Sequence, residues 1–164
     1  MFEGFPEEAA QRARAYMETG LWPNITIMGR FDEAVRRTPD KVAIVAPDGA
    51  RLTYSELAAK VGSVAKGLAD VGVGKGDVVS IQLPNVPELV IVHLAASRLG
   101  AITNPLLPNY RSKELGYILG FARTKVAIIP DRYRKFDYVE MYAQLRQALP
   151  ELSAIYVVGD GVGE

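Results

Sequence analysis

Hydrophobic residues follow two different spacings along this chain. Over residues 6–19 and about 28–37 they recur at helical intervals, and Pro6 and Gly20 suit the start and the end of the first helix. From residue 41 onward, short continuous apolar runs alternate with helical stretches. We therefore predict a helical segment over 1–40 and an α/β unit over 41–164, which together form a single domain.

The apolar runs of the second part predict strands over 77–83, from 101 onward, over 125–130 and over 154–159. Helices are predicted beside them, over about 53–71, 85–99, 112–122 and 136–149. Strands that are apolar throughout are typical of parallel sheets with both faces covered. The predicted fold class is therefore α/β, with a mostly parallel sheet and helices on both of its faces.

Local signals define several of these boundaries. Pro-Asp-Gly at 47–49, between two β-type runs, predicts a hairpin. Thr53 with Glu56, and Asn85 with Glu88, have the spacing of capping pairs, and Ser112 is expected to cap the next helix. The helix after Thr53 should end at Gly72 and bury a single apolar stripe, which consists of Leu57, Val61, Val64, Leu68 and Val71.

The composition excludes several classes of function. The 164 residues include 19 basic and 19 acidic side chains, so no net charge would attract nucleic acid. The absence of cysteine excludes a disulfide scaffold, a thiolate metal site and a cysteine nucleophile. The acidic N-terminus is unlike a signal peptide, and no apolar run is long enough to span a bilayer. We expect a soluble, cytoplasmic protein with no nucleic-acid partner and no membrane span.

Two features resemble functional sites but have simpler structural explanations. The glycines of residues 71–77 follow a helix and lead into a strand, which is the reverse of a phosphate-binding loop. We interpret them as a helix stop followed by a tight turn. His93, the only histidine, stands among apolar residues of a predicted helix, and we interpret it as a core or interface residue.

The charge is uneven between residues 111 and 136, where seven basic residues face two acidic ones. Residues 105–111 and 130–135 each follow the end of a predicted strand, and ligands of open α/β sheets bind at the carboxyl ends of strands. The second of these segments contains Arg132 and Arg134, whose guanidinium groups suit a phosphate. The two interpretations are a docking edge for a phosphorylated ligand and a solvated basic face.

The order of several short motifs resembles the adenylate-forming acyl-CoA synthetases, part of the superfamily of acyl-CoA ligases, adenylation domains and luciferases. The motifs are "LTYSEL", "GVGKGDVV", "LPNVPE", "SRLGAITNP" and "KEL" followed by "YIL", and the resemblance covers about residues 30–158. The "NPLLPNYR" stretch is most similar to enzymes that act on medium-chain or alicyclic carboxylates. The resemblance implies a ligase that uses ATP, magnesium and coenzyme A to convert a carboxylic acid into its acyl-CoA.

The resemblance also implies a set of coenzyme A contacts. In relatives of the acetyl-CoA synthetase type, the loop after the strand equivalent to "AIT" lies beside the coenzyme, and arginines after the next strand lie near its 3′-phosphate. The matching loop residues are Leu107, Pro108, Asn109 and Tyr110. The matching arginines are Arg132 and Arg134.

Other family motifs are missing from these 164 residues. The Ser/Thr/Gly-rich phosphate loop and the aromatic-Gly-x-Thr-Glu motif are not in the sequence. We therefore expect a partial domain, the N-terminal portion of a longer enzyme, which has no activity alone, binds no cofactor tightly and has the rest of its parent chain as partner. A surface left exposed in such a portion predicts self-association. The alternative is a standalone, non-catalytic α/β module that binds a nucleotide or a partner.

Overall fold

A computed structural model describes residues 6–159, and its first part is helical as predicted. Helix α1 spans Glu7–Glu18 and helix α2 spans Ile27–Arg37. The α2 helix begins after Thr26, whose hydroxyl accepts a hydrogen bond from the Gly29 N–H at 3.0 Å and so satisfies one of the free amides of the first turn.

A small hairpin leads from these helices into the α/β unit. Strands β1 (Val42–Val45) and β2 (Arg51–Thr53) pair antiparallel, which confirms the hairpin predicted from Pro-Asp-Gly. Helix α3 (Tyr54–Asp70) follows at once. The predicted capping box is present, because the Thr53 hydroxyl accepts from the Glu56 N–H while the Glu56 carboxylate accepts from the Thr53 N–H.

The remaining elements build one parallel sheet of four strands. In chain order they are β3 (Val78–Ile81), α4 (Pro87–Arg98), β4 (Ile102–Pro105), α5 (Ser112–Phe121), β5 (Thr124–Pro130), β6 (Arg132–Tyr133), β7 (Phe136–Asp137), α6 (Tyr138–Arg146) and β8 (Ala154–Val158). The strand order across the sheet is β4-β3-β5-β8, and every neighbouring pair is parallel. The predicted α/β class with a mostly parallel sheet is confirmed.

Each face of the sheet is covered by its own hydrophobic core. Helices α3 and α4 pack on one face, with Phe31 of α2 at the margin, and helices α5 and α6 pack on the other. Strand β5 contributes to both cores, since Val126 and Ile128 belong to the first and Ala127 and Ile129 to the second. This alternation is the period of two that an extended strand imposes on its side chains.

The structure corrects two predicted helix caps and the buried face of one helix. Helix α4 begins at Pro87 after Val86 and has no side-chain cap, so the predicted Asn85–Glu88 pair is wrong. Proline suits the first helical position because it has no N–H to satisfy and its φ is already helical. Ser112 is the first residue of α5 and not its cap. On α3, Ala65 is buried in the apolar stripe, and Val71 is an exposed residue at the helix end.

The last predicted helix is also shorter than expected. The residues from 132 to 137 form the small hairpin of β6 and β7, so helix α6 begins at Tyr138 and not at Phe136. The Asp137 carboxylate accepts a hydrogen bond from the Glu140 N–H and caps the helix. That bond, together with the Arg132 charge, lowers the pKa of Asp137. Among the helices of residues 6–159, none combines the length and the apolar character that crossing a membrane requires.

Candidate functional site

A cleft of about 330 Å³ opens at the carboxyl edge of the parallel sheet. One rim is the loop after β4 and the other is the β6–β7 hairpin after β5, and strand β3 lies between these two strands in the sheet. The chain leaves β3 and β5 in opposite directions across the sheet, which is the arrangement that opens a crevice in α/β proteins. The cleft is lined by Pro108, Asn109, Arg111, Tyr133, Arg134 and Tyr138.

The loop after β4 is fixed by hydrogen bonds to its backbone. The Leu106 N–H donates to the Ile81 carbonyl at 2.9 Å, which extends the β3–β4 pairing by one step. The Gln82 side chain, fully buried beyond the end of β3, donates from Nε2 to the carbonyls of Leu107 at 2.9 Å and Tyr110 at 3.2 Å. The loop therefore has a defined backbone conformation at the cleft.

Arg111 joins the two rims of the cleft. Its guanidinium donates to the carbonyls of Pro108 and Tyr110, both at 2.8 Å. The same group lies 3.9 Å from the centre of the Phe136 ring, within the range of a cation–π contact. Both hydrogen bonds come from Nη1 and end on the loop, so Arg111 acts on the shape of the cleft.

Tyr138 forms the floor between the rims and is fully buried. Its hydroxyl donates to the Pro108 carbonyl at 2.6 Å. Burial raises the pKa of Tyr138, while the neighbouring Arg111 charge acts in the opposite direction. The hydroxyl therefore stays protonated at neutral pH and remains a donor to the loop.

The β6–β7 turn holds its backbone in an unusual conformation. Arg134 and Lys135 have φ angles of 49° and 63°, the pair of positive values that a tight two-residue hairpin turn requires. Residues with a side chain pay roughly 1 kcal/mol each for this region. The turn directs the Arg134 side chain to the cleft, where its guanidinium carbon lies 5.2 Å from the centre of the Tyr133 ring.

Three of the six residues predicted from the sequence lie together in this cleft, namely Pro108, Asn109 and Arg134. The other three are close to it but face elsewhere. Leu107 is exposed, Tyr110 packs against the α5–α6 core, and Arg132 lies 3.4 Å from the Asp137 carboxylate.

The sequence reasoning missed Gln82, Arg111 and Tyr138 as site residues. In the sequence, Arg111 stands out only as one of the seven basic residues, and Tyr138 only as a residue of the last helix. Their role depends on hydrogen bonds to backbone carbonyls, which leave no pattern in a sequence. The one sequence signal for Arg111 is its position in the segment between β4 and α5.

The glycine-rich turn at 71–77 is structural, as interpreted. Gly72 and Gly76 have φ angles of 81° and 87°, and the Gly74 N–H donates to the Asp77 carboxylate at 2.8 Å. Lys125 donates from Nζ to the Gly72 carbonyl at 2.6 Å and to Asp77 at 2.8 Å. The lysine bond is the main reason why the pKa of Asp77 is lowered. The donors that a phosphate would need are used inside the turn.

His93 and most of the basic stretch also have structural partners. His93 is half-buried, and its Nδ1 lies 2.9 Å from the Thr103 hydroxyl on β4. Arg123 is paired with Glu151 at 2.9 Å, as Lys125 is with Asp77. Three of the seven basic groups, Arg123, Lys125 and Arg132, are therefore held in local ion pairs. Arg111 and Arg134 are the two basic residues of the stretch that line the cleft.

The profile of a family described as AMP-binding enzyme matches residues 31–162. The chain belongs to this family. The match confirms the resemblance to adenylate-forming ligases that the short motifs indicated.

Two curated relatives of the family are acid–CoA ligases. The chain is 35% identical, over 98% of its length, to the 2-hydroxy-7-methoxy-5-methyl-1-naphthoate–CoA ligase of Streptomyces carzinostaticus, and it covers 28% of that protein. It is 32% identical, over 88% of its length, to the medium-chain fatty-acid–CoA ligase of Escherichia coli K12, and it covers 26% of it. The chain thus spans less than a third of the length of these family members.

A solved structure in the same family confirms the fold. The apo structure of MbtA from Mycobacterium smegmatis superposes with a TM-score of 0.82 at 30% sequence identity. The superposition covers 97% of this chain and 28% of MbtA.

Proposed function

We propose that these residues form the N-terminal portion of an acyl-CoA synthetase, which joins a carboxylic acid to coenzyme A and splits ATP into AMP and pyrophosphate. Two observations support this assignment: the family membership and the acid–CoA ligases among the relatives. The relatives act on both aromatic and fatty acids, so the proposal names the substrate only as a carboxylic acid.

The cleft is the observation that carries the proposal, because its donors fit part of coenzyme A. Arg134 offers a guanidinium at the rim, and Asn109 offers an amide on the opposite loop. A guanidinium suits the charge of a phosphate, and an amide can donate to or accept from a ribose or a base. We propose that the loop 107–110 and Arg134 form one wall of the coenzyme site.

The residues fit ATP and magnesium less well. The glycine turn uses its own amides, and the 164-residue sequence has no Ser/Thr/Gly-rich phosphate loop. In the stretch from residue 6 to residue 159, no group of three His, Asp or Glu side chains is placed to hold a metal ion. We propose that ATP and magnesium are bound by other parts of the enzyme and that this portion alone has no ligase activity.

A pyrophosphate-exchange assay tests the inactivity. The purified 164-residue protein is incubated with ATP, magnesium, labelled pyrophosphate and a panel of aromatic and aliphatic carboxylic acids. The proposal expects no exchange above that of a buffer blank. Acid-dependent exchange by this protein without added polypeptide would contradict it, and tight binding of a nucleotide without exchange would favour the non-catalytic module.

The coenzyme wall is tested by two matched arginine variants in the full-length ligase. Arg134→Met removes the charge that lines the cleft, and Arg132→Met removes a charge two residues away that faces Asp137. Loss of one charged hydrogen bond at an exposed site should raise the KM for coenzyme A about 10-fold in Arg134→Met and leave pyrophosphate exchange unchanged. Equal effects of the two variants would show that only the overall charge matters.

Self-association stays a prediction, and the structure offers a surface for it. An apolar groove of about 610 Å³ lies between α3 and α4 near β8. Its margin includes Val64, Ile91 and Tyr156. Light scattering of the 164-residue protein should show a mass that rises with concentration, and a constant monomer mass at high concentration would contradict this.

A further inference from the structure

The loop between β4 and α5 turns three of its carbonyl oxygens into the protein. The carbonyls of Leu107, Pro108 and Tyr110 together receive five hydrogen bonds from side chains. The donors come from Gln82 beyond β3, Arg111 before α5 and Tyr138 at the start of α6. Three separate elements therefore converge on one short loop.

We infer that Gln82, Arg111 and Tyr138 are positioning residues that clamp loop 107–110 in the conformation that receives a phosphorylated ligand, an inference that rests on the proposed coenzyme wall. Carbonyl oxygens carry partial negative charge, so a loop that exposed them would repel an anion. The clamp occupies these oxygens with donors. It also removes the freedom of the loop before the ligand arrives, which lowers the cost of ordering it on binding.

Gln82 shows that the arrangement is specific. Its side chain is fully buried, and within residues 6–159 its Oε1 has no hydrogen-bond partner. A buried carbonyl without a partner is costly, and turning the amide over would place that oxygen against two loop carbonyls. The orientation that remains is the one in which both N–H groups of Nε2 serve the loop.

Arg111 adds a connection between the two rims. It donates to the loop and stacks on Phe136 of the hairpin, so the rim that carries Asn109 and the rim that carries Arg134 are held at a fixed separation. A lysine at this position would keep the charge and could donate to the carbonyls, but it has no planar guanidinium to stack on the Phe136 ring.

The structure supplies a matched control on the same helix. Tyr138 and Tyr142 are both fully buried on α6, and within the described residues the Tyr142 hydroxyl has no hydrogen-bond partner. Phenylalanine at either position removes only one oxygen atom. Tyr138→Phe loses the bond to the Pro108 carbonyl, and Tyr142→Phe loses none that the structure shows.

Amide hydrogen exchange of the 164-residue protein tests the clamp without reference to any ligand. The reporters are the N–H groups of Leu106 and Tyr110, which are bonded to the carbonyls of Ile81 and Leu107. Tyr138→Phe, which loses one ordinary hydrogen bond, should speed their exchange about 2- to 10-fold, and Gln82→Met, which loses two, at least as much. Tyr142→Phe should not change it. Unchanged exchange in Tyr138→Phe would overturn the clamp, even if Gln82→Met failed to fold.

Steady-state kinetics of the full-length ligase test the purpose of the clamp. Tyr138→Phe and Arg111→Lys should raise the KM for coenzyme A by about 2- to 10-fold and should leave the rate of pyrophosphate exchange unchanged. The Tyr142→Phe enzyme should keep the wild-type value of both quantities. Wild-type KM values combined with faster amide exchange would overturn the role in ligand binding and leave the clamp as a purely structural device. A ligase whose rate does not depend on coenzyme A would instead refute the proposed function. The amide-exchange rates would still test whether the clamp exists.

Discussion

Lys125 ties the turn after α3 to the first part of β5, and its replacement by methionine has a calculable effect. Its ammonium group donates to the Gly72 carbonyl at 2.6 Å and to the Asp77 carboxylate at 2.8 Å. The side chains of Lys125 and Asp77 are 31% and 32% exposed. Methionine keeps most of the aliphatic stem, so Lys125→Met removes the two polar bonds and little packing.

The expected loss of stability is about 1–2 kcal/mol. A hydrogen bond from a charged group contributes about 1.5–3 kcal/mol when shielded, and an exposed ion pair about 0.2–1 kcal/mol. One-third exposure places this site between the two cases. The pair Lys66–Asp70 on α3 is a suitable control, because its side chains are 76% and 63% exposed and Lys66→Met should cost about 0.5 kcal/mol or less.

The Lys125 contribution should also depend on pH. Lys125 lowers the pKa of Asp77 in the folded protein, so the carboxylate binds its proton at lower pH folded than unfolded. The stabilisation is therefore complete above the unfolded pKa, about 4, and is lost as the pH falls through the lower folded value. The difference between wild type and Lys125→Met should be largest at neutral pH and should shrink toward the share of the Gly72 bond as the pH falls below about 4.

Urea unfolding followed by circular dichroism measures both effects, with wild type, Lys125→Met and Lys66→Met compared at pH 7 and near pH 3. Equal unfolding free energies for the two variants at pH 7 would refute the reasoning. So would a Lys125→Met deficit that grows on acidification, because the sign of the pKa shift requires the opposite.

Four further substitutions probe the backbone. Thr53→Ala removes the hydroxyl of the capping box and should lower the free energy of unfolding by about 1 kcal/mol in urea titrations; a change within error would show that the cap is redundant. Gly100→Ala, at a φ of 70°, should lower the melting temperature, whereas Gly67→Ala, inside α3 with open space around it, should raise it; the same sign for both would contradict the structure. Lys135→Gly relieves a positive φ of 63° and should stabilise the protein by up to about 1 kcal/mol, and a loss in calorimetry would argue against the strained turn.

The sheet and its covering helices were predictable because each follows from the spacing of apolar residues. The runs around Val79 and Ile128 are continuous, and the helix after Thr53 has a clear stripe. The errors lie where geometry overrides residue type. Val86 is not a capping residue, yet it precedes α4 because Pro87 fits the first helical position so well. The turn of the β6–β7 hairpin contains no glycine or asparagine, the residues from which such a turn is usually predicted.

The cleft was predictable only in part. Pro108, Asn109 and Arg134 were placed by the resemblance to a family, and the structure brings them together at the edge where open sheets bind ligands. Gln82 could not be found in this way. It contacts the carbonyls of residues 25 and 28 positions later in the chain, and any loop sequence would offer such carbonyls.

The alternation of β5 between the two cores has a mechanical consequence. Since neighbouring residues of this strand are buried in opposite hydrophobic clusters, displacing β5 would disrupt both clusters at once. A local opening of the sheet at β5 therefore cannot leave the core on either face intact. The α/β unit should lose its structure in a single step, with the amides of β5 the last to yield their protons to solvent.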